Sequence, residues 1–411
     1  MSASASSSSP RPRIDLVDAL RGSALLGLFL LHCVEHFEMG GGPKDSAAWL
    51  QALNSQVRTA AFFLFGGKAY GIFAFMFGLS FFLQLDGAER RGEEYRGRFV
   101  WRLLVLAALG YINGLVFCGD ILMVIAVLGL PLVLLYKASN RLLVLLAALL
   151  LLQLPQLCTV GRAFVSGYQP PQPYFWGLYG ALCPVYADGS WSEVLALNVG
   201  KGQTARFWFT FESGRYVQML GLFLCGLLVG RSRVLEDTAR VMRFARRALL
   251  GGAVGLVVLY PLTLWAGHSP LEGMAQRALD KIGDAYLGLA QMAVWMGGFI
   301  LLYHGTRARG WLRWLAPYGR MSLTNYVTQG LFWVPFYYGF GLGMHRYLGE
   351  AFGLLAGIPF LLAQLAVSHL WLRHYRYGPL EWFWRCCTRC SFALPLHREP
   401  RVAPEAILVA D

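Results

Sequence analysis

Long apolar segments recur along the whole chain, and they constrain the fold more than any other feature. Hydrophobic residues make up 56% of the 411 residues, and charged residues make up only 14%. A run of about 18 or more apolar residues is typical of a transmembrane helix. The pattern predicts an all-α polytopic membrane protein with about ten transmembrane helices, at residues 16–37, 60–85, 99–118, 120–136, 141–158, 215–230, 247–267, 284–304, 319–341 and 352–372.

The remaining segments predict the domain organisation. We expect a disordered N-terminal tail at 1–13, a single transmembrane helical domain at 14–390, and a flexible tail at 391–411. The largest connection, at about 159–214, contains YQPPQPYFWGLYG, a Pro- and aromatic-rich sequence that suits a structured cap at the membrane interface. Glycines inside the spans predict close helix packing; they include Gly22, Gly27, Gly110, Gly129, Gly221, Gly226 and Gly230.

Lysine and arginine are distributed unevenly between alternate connections. If the N-terminus lies inside, the connections on that side and the C-terminal tail carry most of the 36 lysine and arginine residues. Such residues are retained on the cytoplasmic side. The sequence therefore predicts both termini in the cytoplasm and 159–214 as an extracytoplasmic loop. The net charge of +13 reflects this asymmetry and the anionic lipid of the inner face, and nucleic-acid binding has little support.

The cysteines offer two groups to consider. Cys158 and Cys183 both fall on the predicted outer side, where they could form a disulfide if that side is oxidising. Cys386, Cys387 and Cys390 form a group in the C-terminal tail. A structural zinc site needs four ligands, and the distant histidine of the tail is the only further one on offer. The sequence favours an apolar cysteine cluster at the membrane interface.

The sequence HCVEHF, at the end of the first span, brings three ionisable residues together. His32, Glu35 and His36 follow the order H-x-x-E-H, which also occurs in one group of zinc peptidases. A catalytic zinc ion needs a third ligand, and Asp120 is the only nearby candidate by depth. Without a metal, a neutral imidazole at His32 could act as a general base, oriented by Asn113 or Asp120. We favour the general base and expect no metal ligand set.

Five ordered sequences resemble one bacterial family. They are DLVDALRGSALLGLFLLH, GKAYGIFAFMFGLSF, GYINGLVFCGDILMVIAVLGL, YGRMSLTNYVTQ and YRYGPLEWFWR, and they extend from about residue 13 to 390. They are similar to the YeiB-like membrane proteins, the family of domain of unknown function 418. The first motif is also similar to that of transmembrane acyltransferases, including the lysosomal heparan-glucosaminide acetyltransferase. Those enzymes take an acyl group from a cytoplasmic coenzyme A thioester and deliver it across the bilayer. The resemblance implies a bacterial inner (plasma) membrane protein.

The chain departs from the pattern of this family at two positions. Where this sequence has His32, YeiB-like members commonly have Asn, and where it has Asn113 they commonly have His. At a helix rise of 1.5 Å per residue, both positions lie about 21–24 Å from the predicted start of their spans. An exchanged pair at one depth predicts two side chains that face each other in one pocket.

Other polar residues gather near the two ends of the predicted bundle. Ionisable groups inside a bilayer are costly, so they usually face a cavity. The candidates for substrate binding near the outer end are Glu35, His36 and Lys68, with Glu212, Arg215 and Gln218 close by; those near the inner end are Asp18, Arg21, Arg320 and Asn325. Plainer interpretations remain. Lys68 could form a structural ion pair with Glu35 or Asp120, and both arginines could reach lipid headgroups.

Two classes of function stay open. In the first, His32, Asn113 and Asp120 form the catalytic group of a membrane acyltransferase. Arg21 and Arg320 then face acyl-CoA, a co-substrate rather than a bound cofactor, and the acceptor is a small molecule, lipid or glycan. In the second, the same polar cavity belongs to a small-molecule transporter or flippase. The sequence has no obvious inverted repeat with paired broken helices, which counts modestly against common transporter folds. A non-catalytic envelope or signalling protein is a third class.

Overall fold

The computed structural model describes residues 15–39, 42–43 and 45–398, and this part of the chain is helical apart from connections and one antiparallel bridge between Tyr375 and His397. The predicted N-terminal tail at 1–13 lies outside the described residues. The α-helices are Asp15–Val34 (α1), Ala48–Phe65 (α2), Lys68–Glu89 (α3), Arg96–Val116 (α4), Leu122–Leu135 (α5), Asn140–Leu151 (α6), Leu154–Ser166 (α7), Tyr174–Asp188 (α8), Trp191–Leu197 (α9), Gln203–Glu212 (α10), Arg215–Arg231 (α11), Thr238–Ala266 (α12), Gly273–Gly305 (α13), Arg309–Leu312 (α14), Leu315–Arg320 (α15), Ser322–Tyr337 (α16), Glu350–His374 (α17) and Pro379–Arg389 (α18).

The predicted all-helical membrane architecture is confirmed, but the predicted count of ten spans is not. Within the described residues, six helices are long and apolar enough to cross a membrane, or up to eight if each bent pair is one span. The two counts differ because hydropathy does not register bends or short helices. Helix α5 has only 14 residues, about 21 Å against a hydrocarbon thickness of about 30 Å. The bends lie between α6 and α7, at 44°, and between Trp191–Glu212 and α11, at 70°.

Helix α1 is the centre of the bundle. It packs against α2, α3, α15, α16 and α17, and most of its residues are buried. Two glycine-mediated crossings bring backbones together, as the spans' glycines predicted. A Cβ added at Gly22 would overlap the Leu315 carbonyl, and one added at Gly226 of α11 would overlap the Phe75 carbonyl of α3. Small residues at such crossings allow the backbone contact that holds membrane helices together.

The predicted extracytoplasmic loop at 159–214 is largely helical. It contains the end of α7, then α8 and α9, a π-helical turn at Asn198–Gly202, and α10. Cys158 and Cys183, which could form a disulfide on an oxidising side, are both free thiols in this structure. Cys158 lies on an exposed face of α7, whereas Cys183 is partly buried in α8.

The beginning of the predicted flexible C-terminal tail is fixed to the bundle. The Trp382 indole donates to the Leu394 carbonyl (2.9 Å), and the Arg376 N–H donates to the Leu396 carbonyl (2.8 Å). Residues 391–398 therefore fold back against α18 and the end of α17. The rest of that tail, 399–411, lies outside the described residues.

Candidate functional site

An open vestibule rich in arginine lies where α1 and α4 begin and α3 ends. Its volume is about 1140 Å³, and its lining includes Arg21, Arg91, Arg98, Arg102, Arg385 and Arg389, with Asp18 and Glu93 among them. Arg21 pairs with Asp18 at 3.0 Å, as predicted from their spacing, and also donates to Ser80 of α3 at 3.1 Å. Arg102 stacks on Trp384 of α18, with 3.6 Å between the guanidinium carbon and the ring centroid. We call this space the basic vestibule.

A narrow shaft of about 250 Å³ continues from the basic vestibule into the bundle. Arg21, Ser80, Gln84, Arg102 and Arg385 line both spaces. The deeper part of the shaft has apolar walls, and its closed end is formed by Ile121, Leu122 and Tyr326. The remaining apolar lining residues include Leu28, Phe73, Met76, Phe77, Phe81, Phe99, Leu103, Leu106 and Ile125. Because Arg21 and Leu28 of α1 both line it, the shaft extends at least about 10 Å along that helix. Arg320, a predicted donor contact, also lines the shaft.

A buried polar cluster lies directly behind the deep end of the shaft. The Asp120 carboxylate accepts a hydrogen bond from the Asn113 amide at 2.8 Å and from the Arg206 guanidinium at 3.4 Å. Asp120 is only 1% exposed and Arg206 only 3%. Arg206 also donates to the Gln203 amide oxygen. Tyr326, at the end of the shaft, accepts from the Ile121 N–H at 3.1 Å. Asp120 is therefore held by hydrogen bonds from Asn113 and Arg206, and it directly precedes Ile121, which lines the shaft.

The predicted contact between His32 and Asn113 is not formed. Within the described residues Asn113 binds Asp120, whereas the His32 ring packs edge-on against Phe117, with 5.2 Å between ring centroids. Phe117 lies one turn after Asn113 and donates its N–H to the Asn113 carbonyl at 2.9 Å. Phe117 is therefore a neighbour of both residues. The prediction failed because equal depth on two helices does not fix which faces meet.

Glu35, rather than Asn113 or Asp120, is the polar neighbour of His32. The His32 Nδ1 atom lies 3.4 Å from a Glu35 carboxylate oxygen. The two atoms approach without forming a hydrogen bond. A hydrogen bond from Nδ1 to this carboxylate would favour the tautomer that leaves Nε2 free to accept a proton. Leu28, one turn before His32, lines the shaft, and Glu35 lines a second cavity on the opposite side. His32 is therefore located between the two cavities.

His36 does not share a helix face with His32. Helix α1 ends at Val34, and His36, Phe37 and Glu38 all have left-handed backbone angles, with φ of 49°, 51° and 76°. The H-x-x-E-H spacing therefore has no helical geometry. The His36 ring is buried against Tyr337, with 4.9 Å between centroids, and burial lowers the pKa of His36. It contacts the core rather than a cavity.

Lys68 and Asn325 have different surroundings from those predicted. Lys68 is buried and donates to the Phe62 carbonyl at 3.1 Å; within the described residues it forms no ion pair with Glu35 or Asp120. Asn325 donates to the Tyr318 carbonyl (3.1 Å) and to Ser368 (3.0 Å), inside a packed network that joins α15, α16 and α17. Asn325 lines neither the shaft nor the basic vestibule.

The second cavity opens at the other end of α1, beside the helices of the 159–214 segment. Its volume is about 940 Å³, and its lining combines aromatic residues with Glu35, Lys68, Arg215, Gln218, Lys281 and Asp284. Arg215 stacks on Tyr70 and Phe209, at 4.9 and 4.4 Å to the ring centroids. We call this space the loop-side cavity.

Sequence reasoning missed two residues of this region, Arg206 and Glu38. Arg206 fell in the presumed loop, although Gln203, Arg206 and Thr210 recur with the spacing of one helix face. Glu38 follows the end of α1, next to Gly119. Withdrawal from water raises the pKa of Glu38 to about 7; the nearby Glu35 carboxylate adds to the rise, and His32 and Arg215 oppose it.

The raised pKa of Glu38 predicts a pH-dependent stability. The folded protein binds the proton of the Glu38 carboxyl group more tightly than the unfolded chain does. Protonation of Glu38 therefore stabilises the folded protein at acidic pH, and this stabilisation is lost as pH rises towards about 7. From pH 4.5 to 8 the free energy of unfolding should fall by about 3 kcal/mol relative to Glu38→Gln. Unfolding of both proteins by SDS at several pH values measures this difference. A difference that stays constant with pH, or one matched by the exposed Glu272→Gln, would contradict the assignment.

Fold and site together define a multi-pass helical membrane protein with cavities at both ends of its central helix. The family profile described as "Protein of unknown function (DUF418)" matches residues 229–391. Together with the relatives below, this match confirms the predicted resemblance to the YeiB-like proteins of the DUF418 family.

Three bacterial relatives are similar over nearly the whole chain. "Uncharacterized protein YxaH" of Bacillus subtilis (strain 168) is 28% identical, over 95% of this chain and 97% of its own length. "Uncharacterized protein YeiB" of Escherichia coli (strain K12) is 28% identical, over 90% and 95%. A 39.9 kDa protein of Bacillus acidopullulyticus, named as uncharacterized in the amylase 3' region, is 27% identical, over 92% and 94%. No solved structure matches the chain.

Proposed function

We propose that this protein transfers an acyl group from acyl-CoA to an acceptor on the opposite side of a bacterial inner membrane. The observation that carries the proposal is the continuity of the basic vestibule with the apolar shaft, which reaches the level of Leu28, one turn below His32. A donor with a phosphorylated head and a long, uncharged arm matches this change in lining.

The basic vestibule supports binding of the donor head group. Guanidinium groups bind phosphate through paired hydrogen bonds, and Arg21, Arg102 and Arg385 are located where the vestibule narrows into the shaft. By the rule that basic residues stay inside, this face is assigned to the cytoplasm, where acyl-CoA is available. The shaft would then hold the pantetheine arm, with the thioester and its acyl group towards the buried end.

His32 is assigned the role of general base. The acceptor hydroxyl or amine loses its proton to His32 as it attacks the thioester carbonyl, the new acyl bond forms, and the carbon–sulfur bond breaks. The proton then passes to the coenzyme A thiolate, so the atoms balance. Glu35 is assigned the role of holding the imidazole in the required tautomer, through a hydrogen bond from Nδ1 that a small closure of their 3.4 Å separation would form. Asp120, Asn113 and Arg206 keep the wall between the cavities rigid.

One observation favours a transporter as the second candidate. The bends between α6 and α7 and before α11 are the kind of interrupted helices that form substrate sites in many transporters. Both interruptions face the loop-side cavity, where Gln153 and Ser213 are part of the lining. In that case a solute would cross intact and no acyl bond would be broken.

The release of coenzyme A tests the acyl transfer. Purified protein in bacterial lipid should release the thiol from acetyl-CoA and label an added lipid extract, and His32→Ala should lower this rate by about 100-fold or more. The exposed His268→Ala controls for loss of a histidine elsewhere. Release of the thiol that is unaffected by His32→Ala would reject His32 as base, and no release by the wild type would reject the enzyme.

A further inference from the structure

The loop-side cavity lies where three pairs of helices are interrupted. Helix α3 begins at Lys68, α7 at Leu154 and α11 at Arg215, and each follows a residue in the left-handed conformation: Gly67 (φ 78°), Gln153 (φ 52°) and Gly214 (φ 72°). The lining includes Gly67, Gln153 and Arg215. Helix N-termini carry a partial positive charge and unpaired N–H groups. The N-termini of α3, α7 and α11 therefore surround the loop-side cavity.

Three cations add to this positive field. Lys68, Arg215 and Lys281 line the cavity, and within the described residues none of them has a carboxylate at ion-pair distance. Lys68 is 7% exposed, and its hydrogen bond to the Phe62 carbonyl leaves other donors of the ammonium available. Two carboxylates also line the cavity: Glu35, which lies beside His32, and Asp284, which belongs to α13. Asp284 attracts Lys68 and Glu212 attracts Lys281, but within the described residues neither carboxylate pairs directly with its lysine. An anionic ligand would therefore add charge-assisted hydrogen bonds to these cations.

The cavity also has a wall that faces the surrounding lipid. Phe63 of α2 and Val257 and Tyr260 of α12 line it, although they are 60%, 75% and 55% exposed on the outside of the bundle. Exposed apolar side chains on a membrane helix contact acyl chains. A ligand could thus enter from the bilayer with its head group inside and its chains between α2 and α12.

We infer that the loop-side cavity binds the phosphate-bearing head group of a lipid, presented from the bilayer. The inference rests on the proposed function, for which it names the acceptor class. The phosphate contacts Lys68, Arg215, Lys281 and the helix N-termini. A hydroxyl or amine on the same head group then lies towards Glu35 and His32, where the acyl group arrives.

Lipid binding without acyl-CoA tests the inference. The purified full-length protein in detergent is titrated with dioleoyl phosphatidylglycerol, and binding is followed by native mass spectrometry and by the midpoint of thermal unfolding. We expect the midpoint to rise for the wild type, and the apparent Kd to weaken by about tenfold in Arg215→Gln and in the partly exposed Lys281→Gln. Lys201→Gln, an exposed cation outside the cavity, should bind as the wild type does.

Two further ligands separate the contributions of head group and chains. Dioleoylglycerol has the chains without the phosphate, and glycerol 1-phosphate has the phosphate without the chains; neither should raise the midpoint as phosphatidylglycerol does. Equal stabilisation by dioleoylglycerol would overturn the phosphate site, and equal stabilisation by glycerol 1-phosphate would overturn presentation by a lipid. A loss in Lys201→Gln as large as in Arg215→Gln would also overturn it. Lipid binding by a protein that releases no coenzyme A would reject the proposed function alone.

Discussion

We expect Arg206→Met to lower the free energy of unfolding by about 3–5 kcal/mol, because the substitution leaves the buried Asp120 carboxylate without its cation. Asn113 can still donate to Asp120, but one neutral amide does not replace a guanidinium. The loss should appear as a lower SDS fraction at half-unfolding and as a lower thermal midpoint. Arg162→Met removes an exposed arginine of α7 and should cost less than about 0.5 kcal/mol.

A double substitution separates the ion pair from the mere loss of packing. Asp120→Asn with Arg206→Met removes both charges and should recover much of the stability that either single substitution loses, since contacting pairs couple by about 0.5–3 kcal/mol. Losses that simply add would contradict a direct pair. Restored stability without restored acyl transfer would further assign a catalytic contribution to Asp120.

The second large effect is expected at the crossing of α3 and α11. A Cβ at Gly226 would overlap the Phe75 carbonyl, and two backbones cannot separate without opening the interface. Gly226→Ala should therefore lower the free energy of unfolding by about 3 kcal/mol, at the upper end of overpacking effects.

The matched control for this crossing is Gly251→Ala. Nothing lies within 4 Å of a Cβ at Gly251, which faces outwards from α12. There the added methyl group should stabilise the helix by about 0.5–1 kcal/mol, the difference in helix propensity between Ala and Gly. A destabilisation of similar size at both glycines would show that the effect is not specific to the crossing.

Local patterns in the sequence predicted the features that depend on one helix. The pairing of Asp18 with Arg21 follows from their spacing, and the contact of Gly226 with α3 follows from its small size. The number of spans was predicted less well, because the bends at Gln153 and Gly214 occur inside apolar sequence and do not change its hydropathy. Whether a helix continues through such a residue depends on what packs around it.

The candidate site was predicted only in part, since it depends on contacts between distant segments. Arg21 lines the basic vestibule and the shaft, whereas Asp120 lies behind the shaft wall. The partner of Asp120 is Arg206, from a segment interpreted as a loop. The tight turn after Val34 directs His36 into the core, which no periodicity indicates. The contact between Glu35 and His32, by contrast, follows from their i, i+3 spacing.

Sealed proteoliposomes test the central claim, acyl transfer across the membrane, most directly. Protein is inserted with the basic vestibule outward, and acetyl-CoA that carries different labels on its acetyl group and its adenosine is added outside. The proposed function predicts that the acetyl label becomes covalently bound to the inner leaflet or the lumen while the adenosine label stays outside, and that His32→Ala abolishes the transfer. Entry of both labels together would contradict the enzyme and indicate a transporter, and an acetyl label that remains outside would contradict transfer across the membrane.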